Sequence, residues 1–123
     1  MTRPLILVIE DNEQNLYLMR FLLEQNGFEV VEARDGRAGL ALARQMVPAA
    51  ILLDIQLPEM NGYTVAAELR KNEALRQVPI IAVTSFAMVG DRERCLAAGA
   101  TDYVEKPIDP AAFLVTLRGH LGA

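Results

Sequence analysis

Carboxylates, a hydroxyl and a lysine stand at the ends of apolar stretches in this 123-residue sequence: Glu10, Asp11, Asp54, Thr84 and Lys106. If those stretches are neighbouring parallel strands, residues far apart in sequence meet at one edge of a sheet. Two carboxylates about 4 Å apart repel one another by roughly 4 kcal/mol at an effective dielectric near 20, so such a cluster requires a cation or protons. Oxygen-only ligands favour Mg²⁺, and the sequence has no Cys and His set with zinc-site spacing.

A carboxylate beside Mg²⁺ can attack a phosphoryl group and form an aspartyl phosphate. The transition state spreads negative charge over the equatorial oxygens, where a metal ion, a lysine and a hydroxyl can stabilise it. Asp54, Lys106 and Thr84 match these needs. Two structural interpretations stay open on these residues alone. Asp54 is also a common type of turn residue, and the acidic pair at 10–11 is also a common type of helix cap.

The apolar stretches predict the elements that position these residues. Five candidate strands, at 5–9, 28–31, 49–53, 78–83 and 102–104, alternate with five candidate helices, at 13–26, 36–46, 62–73, 88–98 and 110–121. Several of the strands lack clean alternation, which is typical of strands buried on both faces. This order predicts an α/β fold in three layers, a doubly wound flavodoxin-like sheet of five parallel strands with helices on both faces.

Length and composition indicate a single domain over residues 1–123 with no output domain attached. The net charge of −4 argues against nonspecific nucleic-acid binding, which needs a basic face. No apolar run reaches the roughly 20 residues that a membrane span requires, and the lone Cys95 cannot form an internal disulfide. We therefore expect a cytoplasmic protein. His120, the only histidine, is expected to be a frayed surface residue of the last helix.

Four short motifs occur in order, each at a predicted strand end: Val8-Ile9-Glu10-Asp11-Asn12, Leu53-Asp54-Ile55-Gln56-Leu57-Pro58 with Gly62, Val83-Thr84-Ser85, and Lys106-Pro107. With these motifs, residues 5–118 resemble the receiver domain of two-component response regulators. The stretches 10–12 and 84–88, with Gly90-Asp91, are similar to the DivK subgroup of single-domain receivers. Receivers of hybrid kinases share part of this second pattern.

The resemblance implies a role for each matching residue. It implies Asp54 as phosphoacceptor, Asp11 as a direct ligand of Mg²⁺, and Glu10 as a residue that acts on the metal through water. Glu10 stands where the family commonly has Asp.

The other implied roles lie around the acceptor: the backbone carbonyl of Gln56 as a further metal ligand, Thr84 as the switch hydroxyl, Lys106 as the partner of the phosphoryl oxygen and Tyr103 as the aromatic switch. Mn²⁺ is expected to substitute for Mg²⁺. The Lys106-Pro107 bond is expected to be cis.

A receiver is a switch and not an enzyme acting on other molecules. The resemblance implies a histidine kinase or phosphotransfer protein as phosphodonor. It implies a downstream protein bound through the face of the fourth helix, fifth strand and fifth helix, which includes Phe86, Val89, Arg92, Tyr103 and Glu105. We expect a monomer that contacts neither nucleic acid nor membrane directly.

Alternative functions follow from the same fold and residues. An aspartyl-phosphate phosphohydrolase uses a similar set but usually has an acid two residues after the nucleophile, where this chain has Gln56. A flavin module would place a phosphate in the first loop, where the acidic residues 10–13 would repel it. A phosphorylation-independent scaffold with the same fold would leave Asp54, Thr84 and Lys106 without a chemical role.

Overall fold

The computed structural model describes residues 3–85 and 90–121. Its strands are β1 (Leu5–Ile9), β2 (Glu29–Ala33), β3 (Ala50–Asp54), β4 (Ile80–Thr84) and β5 (Asp102–Glu105). All neighbouring strands pair in parallel, in the order β2-β1-β3-β4-β5. This order confirms the predicted doubly wound, five-stranded parallel sheet.

In the described residues, five α-helices lie between or after the strands: α1 (Glu13–Gln25), α2 (Gly36–Met46), α3 (Gly62–Arg70), α4 (Asp91–Ala98) and α5 (Pro110–Leu121). Polar side chains begin several of them. The Asn12 side chain accepts a hydrogen bond from the backbone N–H of Asn15, and Asp109 accepts one from that of Ala111. These caps satisfy N–H groups that have no partner within the helix.

Two apolar layers cover the sheet. On one face, Leu16, Met19 and Leu23 of α1 pack with Phe113 and Leu117 of α5. The other face is covered by buried side chains of α2, α3 and α4. Strands β3 and β4 are buried along their whole length, which explains why their sequences lack alternation.

The element boundaries differ from the predicted ones in ways that matter at the site. The strand predicted at 49–53 extends to Asp54, because the backbone N–H of Ile55 still donates to the carbonyl of Val83. Strand β4 likewise ends on Thr84, so both residues are held by the ladder and do not lie in the loops that follow.

Smaller differences occur elsewhere. The second strand, predicted at 28–31, spans Glu29–Ala33. The helix predicted at 62–73 ends at Arg70, because the Asn72 side chain accepts a hydrogen bond from Ala74 and begins a separate 3-10 turn, Glu73–Leu75. Of the helix predicted at 88–98, residues 88 and 89 lie outside the described residues.

Candidate metal centre

Three carboxylates meet at the carboxyl ends of β1 and β3. Ile9 pairs with Leu53, so the residues that follow them, Glu10 and Asp54, lie side by side. Asp11 is the next residue along the first loop. One carboxylate oxygen from each of Glu10, Asp11 and Asp54 lies within 4.8 Å of the others. The predicted convergence of these acidic residues is therefore present in the structure.

The three carboxylates differ in exposure. Glu10 is fully buried and Asp54 is 2% exposed, whereas Asp11 is exposed at the mouth of the site. Carboxylates are rarely buried without a partner. The cluster therefore combines two buried carboxylates with one that faces solvent.

Glu10 has an unusual environment. Burial raises the pKa of its carboxyl to about 7, and the neighbouring Asp54 carboxylate adds to this effect. The Lys106 side chain and the backbone N–H of Asn12, which donates to Glu10 Oε2 at 3.2 Å, act in the opposite direction.

Lys106 brings a positive charge to the same site. It follows β5, and its Nζ lies 3.0 Å from Glu10 Oε1 and 3.4 Å from Asp54 Oδ1. The contact with Glu10 is an ion pair without hydrogen-bond geometry, so Oε1 accepts no hydrogen bond from any described residue. The Lys106-Pro107 bond is cis, as expected.

This donor set fits a hard divalent cation. Its ligating atoms are all carboxylate oxygens, and one buried oxygen, Glu10 Oε1, has spare capacity to interact with an ion or a bound water. A single lysine leaves the negative charge of three carboxylates only partly balanced. The remaining charge favours a bound cation, and the oxygen-only donors favour Mg²⁺ over zinc, for which sulfur and imidazole ligands are usual.

Gln56 connects the Asp54 carboxylate to the end of β4. Its backbone N–H donates to Asp54 Oδ1 at 2.9 Å, and its side-chain Nε2 donates to Thr84 Oγ1 at 2.8 Å. Gln56 Oε1 accepts from the backbone N–H of Ser85 at 3.3 Å. The resemblance implies a metal-binding role for the Gln56 backbone carbonyl, but no pattern in the sequence indicates these contacts of its side chain.

A glycine lets α3 start directly against the end of β3. A Cβ atom on Gly62 would lie 2.5 Å from Ile55 Cα and 2.6 Å from the Asp54 carbonyl oxygen. Only glycine allows this approach without moving the backbone of β3. The position of Gly62 in the motif therefore has a direct steric cause.

The predicted switch tyrosine lies at the sheet edge. Tyr103 is partly buried against the layer of α2, α3 and α4, and its hydroxyl donates to Glu105 Oε1 at 3.1 Å. Within the pairing of β4 and β5, Ala82 is opposite Tyr103 and Thr84 is opposite Glu105. Phe86 and Val89, which were predicted to share this surface, lie outside the described residues.

A second polar cluster, between α3 and α4, was not predicted. The Tyr63 hydroxyl donates to Asp91 Oδ1 at 2.5 Å, and the Arg94 guanidinium lies 4.5 Å from the centre of the Tyr63 ring. Asp91 is 7% exposed, and burial raises the pKa of Tyr63 to about 12, with a further contribution from Asp91. An aspartate in a first helical turn is common, so its type gives no sign of burial.

Comparison with known proteins identifies the family. A family model described as the response regulator receiver domain matches residues 6–118. The chain belongs to the response regulator receiver family. Receivers of this family are signalling switches of two-component systems and not classical enzymes.

Curated and solved receivers are similar over nearly the whole chain. The polar-differentiation response regulator DivK of Brucella ovis is 45% identical over 117 residues, which cover 95% of each protein. The receiver domain of sensor histidine kinase PA1611 from Pseudomonas aeruginosa PAO1, solved with a magnesium ion coordinated in its active site cleft, is 38% identical. It has a TM-score of 0.92 and covers 99% of this chain and 100% of that one.

A chemotaxis receiver has the same fold. The response regulator CheY4 of Vibrio cholerae is 27% identical with a TM-score of 0.91, and covers 96% of this chain and 98% of that one. This receiver therefore has the predicted architecture and resembles DivK in sequence. No helix in the described ranges, 3–85 and 90–121, is long and apolar enough to cross a membrane.

Proposed function

We propose that this receiver accepts a phosphoryl group on Asp54 from a histidine kinase or a phosphotransfer protein. The observation that carries the proposal is the position of Asp54, a buried carboxylate at the end of β3 that lies 3.4 Å from the Lys106 ammonium and within a carboxylate cluster. A carboxylate placed between a lysine and a cation site is suited to phosphoryl transfer.

We assign the metal to Mg²⁺. Asp11, Asp54 and the backbone carbonyl of Gln56 would ligate it directly, and Glu10 would act on it through water. The oxygen donor set supports this assignment, and Mn²⁺ would substitute at the same oxygens. When bound, the ion offsets the negative charge on the phosphoryl oxygens.

The chain's own residues then perform distinct parts of the transfer. One oxygen of the Asp54 carboxylate attacks phosphorus and forms a P–O bond. The P–N bond to the donor histidine breaks, and its electron pair leaves with the imidazole nitrogen. Lys106 and the Thr84 hydroxyl each donate to a phosphoryl oxygen and stabilise the charge there.

The phosphorylated site would act on partners through the face of α4, β5 and α5. The phosphoryl group adds a charge of about −1.5 to −2 beside Thr84, and Thr84 pairs with Glu105 across β4 and β5. A shift of Thr84 therefore reaches the strand that carries Tyr103. Arg92 and Glu105 are exposed on this face and available to a downstream protein.

Acetyl phosphate with Mg²⁺ tests the acceptor assignment. We expect intact-mass spectrometry to show one added phosphoryl group on the wild type, and none on Asp54→Asn or after chelation of the metal. The matched control is Asp35→Asn, at the N-cap of α2, where asparagine caps equally well. Equal labelling of Asp54→Asn would contradict the proposal, and turnover of p-nitrophenyl phosphate would indicate a phosphohydrolase instead.

A separate measurement tests the output face. We expect Tyr103→Ala to accept the phosphoryl group normally but to lose phosphorylation-dependent binding to the downstream protein. Unchanged partner affinity in Asp54→Ala would instead support a phosphorylation-independent scaffold.

A further inference from the structure

The Gln56 side chain bridges two consecutive residues at the end of β4. Its Nε2 donates to Thr84 Oγ1 at 2.8 Å, and its Oε1 accepts from the Ser85 backbone N–H at 3.3 Å. The orientation of the amide follows from this second contact, because a backbone N–H can only donate and must face the amide oxygen. The NH₂ group is therefore the one that faces the Thr84 hydroxyl.

The same residue also contacts the acceptor. The Gln56 backbone N–H donates to Asp54 Oδ1 at 2.9 Å, so one residue contacts both the Asp54 carboxylate and the Thr84 hydroxyl. Thr84 is fully buried, which limits the number of positions its hydroxyl can adopt. A hydrogen bond at 2.8 Å in such a site selects one of them.

We infer that Gln56 is a positioning residue that holds the Thr84 hydroxyl in the resting arrangement and thereby opposes activation of the switch. The inference rests on the proposed function. On activation the hydroxyl turns toward the phosphoryl group on Asp54, while the Gln56 amide keeps its contact with the Ser85 backbone N–H, so the bond between Gln56 and Thr84 breaks.

The size of the effect follows from the net value of one hydrogen bond. The net value of one hydrogen bond changes the equilibrium constant between the resting and active states by a factor of about 2 to 10. A bond present only in the resting state shifts the population toward that state by the same factor. Removing it should make any ligand that stabilises the active state bind more tightly by about 2- to 10-fold.

The test uses beryllofluoride with saturating Mg²⁺ as a mimic of the phosphoryl group. We expect Gln56→Leu, which keeps the side-chain volume but makes neither hydrogen bond, to bind beryllofluoride about 2- to 10-fold more tightly than the wild type. The Thr84 methyl resonance of the unliganded variant should move toward its position in the liganded wild type. Gln56→Asn, whose shorter side chain cannot span both contacts, should change both readouts in the same direction.

Two controls separate positioning of Thr84 from other effects of the substitution. Gln45→Leu, an exposed position on α2, should leave beryllofluoride affinity unchanged. In a Thr84→Ala background, Gln56→Leu should no longer increase the affinity for beryllofluoride, because position 84 then has no hydroxyl for Gln56 to hold.

The outcomes distinguish the inference from the proposed function. If the wild type binds beryllofluoride but Gln56→Leu binds it equally tightly or more weakly, the inference is wrong. It is also wrong if Gln56→Leu raises beryllofluoride affinity as much in the Thr84→Ala background as in the wild type. If the wild type neither binds beryllofluoride nor accepts a phosphoryl group from acetyl phosphate, the proposed function fails first.

Discussion

The Lys106 ammonium lies 3.0 Å from the Glu10 carboxylate, closer than its 3.4 Å distance to Asp54. The lysine therefore balances the fully buried carboxylate more directly than the proposed acceptor. With Asp11 also in the cluster, the acidic groups outnumber the lysine, and their mutual repulsion works against the folded state. Removal of one carboxylate charge, or addition of a cation, should relieve it.

The first prediction concerns this repulsion. We expect Asp54→Asn to raise the free energy of unfolding by about 1–2 kcal/mol in a chelating buffer, because a buried charge is removed while the oxygen that accepts from Gln56 is kept. Mg²⁺ at about 100 times its dissociation constant should stabilise the wild type by about 2.7 kcal/mol and the variant by much less. Urea denaturation with and without Mg²⁺ measures both.

The matched control is Glu29→Gln, an exposed carboxylate at the start of β2 and thus at the opposite end of the sheet. It should change stability little and should leave the response to Mg²⁺ unaltered. Equal stabilisation of wild type and Asp54→Asn by Mg²⁺ would show that the ion does not bind at this carboxylate.

The second prediction concerns Gly62. A methyl group there would meet the backbone of Ile55 and Asp54, so the end of β3 and the loop after it would have to move. We expect Gly62→Ala to lower the free energy of unfolding by about 1–3 kcal/mol and to slow labelling of Asp54 by acetyl phosphate. Gly119→Ala, in α5 with open space around it, should instead raise stability by about 0.5–1 kcal/mol and leave labelling unchanged. Normal labelling of Gly62→Ala would contradict the steric argument.

The third prediction concerns the bond between Tyr63 and Asp91. Tyr63→Phe keeps the ring that faces Arg94 but leaves the nearly buried Asp91 carboxylate without its donor, since Oδ2 has no hydrogen-bond partner among the described residues. We expect a loss of about 1–3 kcal/mol in chemical denaturation. In an Asp91→Asn background the loss should be smaller, because no charge is left unpaired. An equal loss in both backgrounds would assign the effect to packing instead.

Much of the fold and of the carboxylate cluster could be predicted because both depend on strand order. Parallel strands bring their carboxyl ends to one edge, so Glu10, Asp54 and Lys106 had to converge once the alternation of elements was clear. The exact ends of the strands were less predictable. Asp54 and Thr84 belong to β3 and β4, since the backbone pairing continues through residues whose polar side chains suggested a loop.

Side-chain contacts between elements could not be predicted from spacing. Arg70 donates to the carbonyl oxygens of Gly99, Leu75 and Val78, which joins α3 to the loops before β4 and β5, yet in sequence it is an ordinary helical arginine. His120 was expected to be a frayed surface residue. It is exposed, but it is held, because its Nε2 lies 2.8 Å from Asp102 Oδ2 at the start of β5.

The fourth prediction concerns pH and the pair formed by Asp102 and His120. Burial tends to raise the pKa of Asp102. This pKa nevertheless lies below its ordinary value of 3.8, because the carboxylate accepts hydrogen bonds from the His120 side chain and the Tyr103 backbone N–H and is near the positive charges of His120 and Arg92. A carboxyl with a lowered pKa stabilises the folded state above that ordinary value, and this contribution is lost as the pH falls through the lowered pKa. The pair is partly exposed, so its contribution should stay below about 1 kcal/mol.

His120→Ala removes the share of that contribution that comes from His120, which is the only histidine in the chain. We expect the variant to be less stable than the wild type at about pH 5, and the difference to shrink steadily as the pH is lowered below about 4. Urea denaturation across this range measures the gap, and high salt should narrow it as well, since a partly exposed ion pair is screened. A gap that stays constant down to about pH 2 would mean that His120 contributes through packing and not through its charge on Asp102.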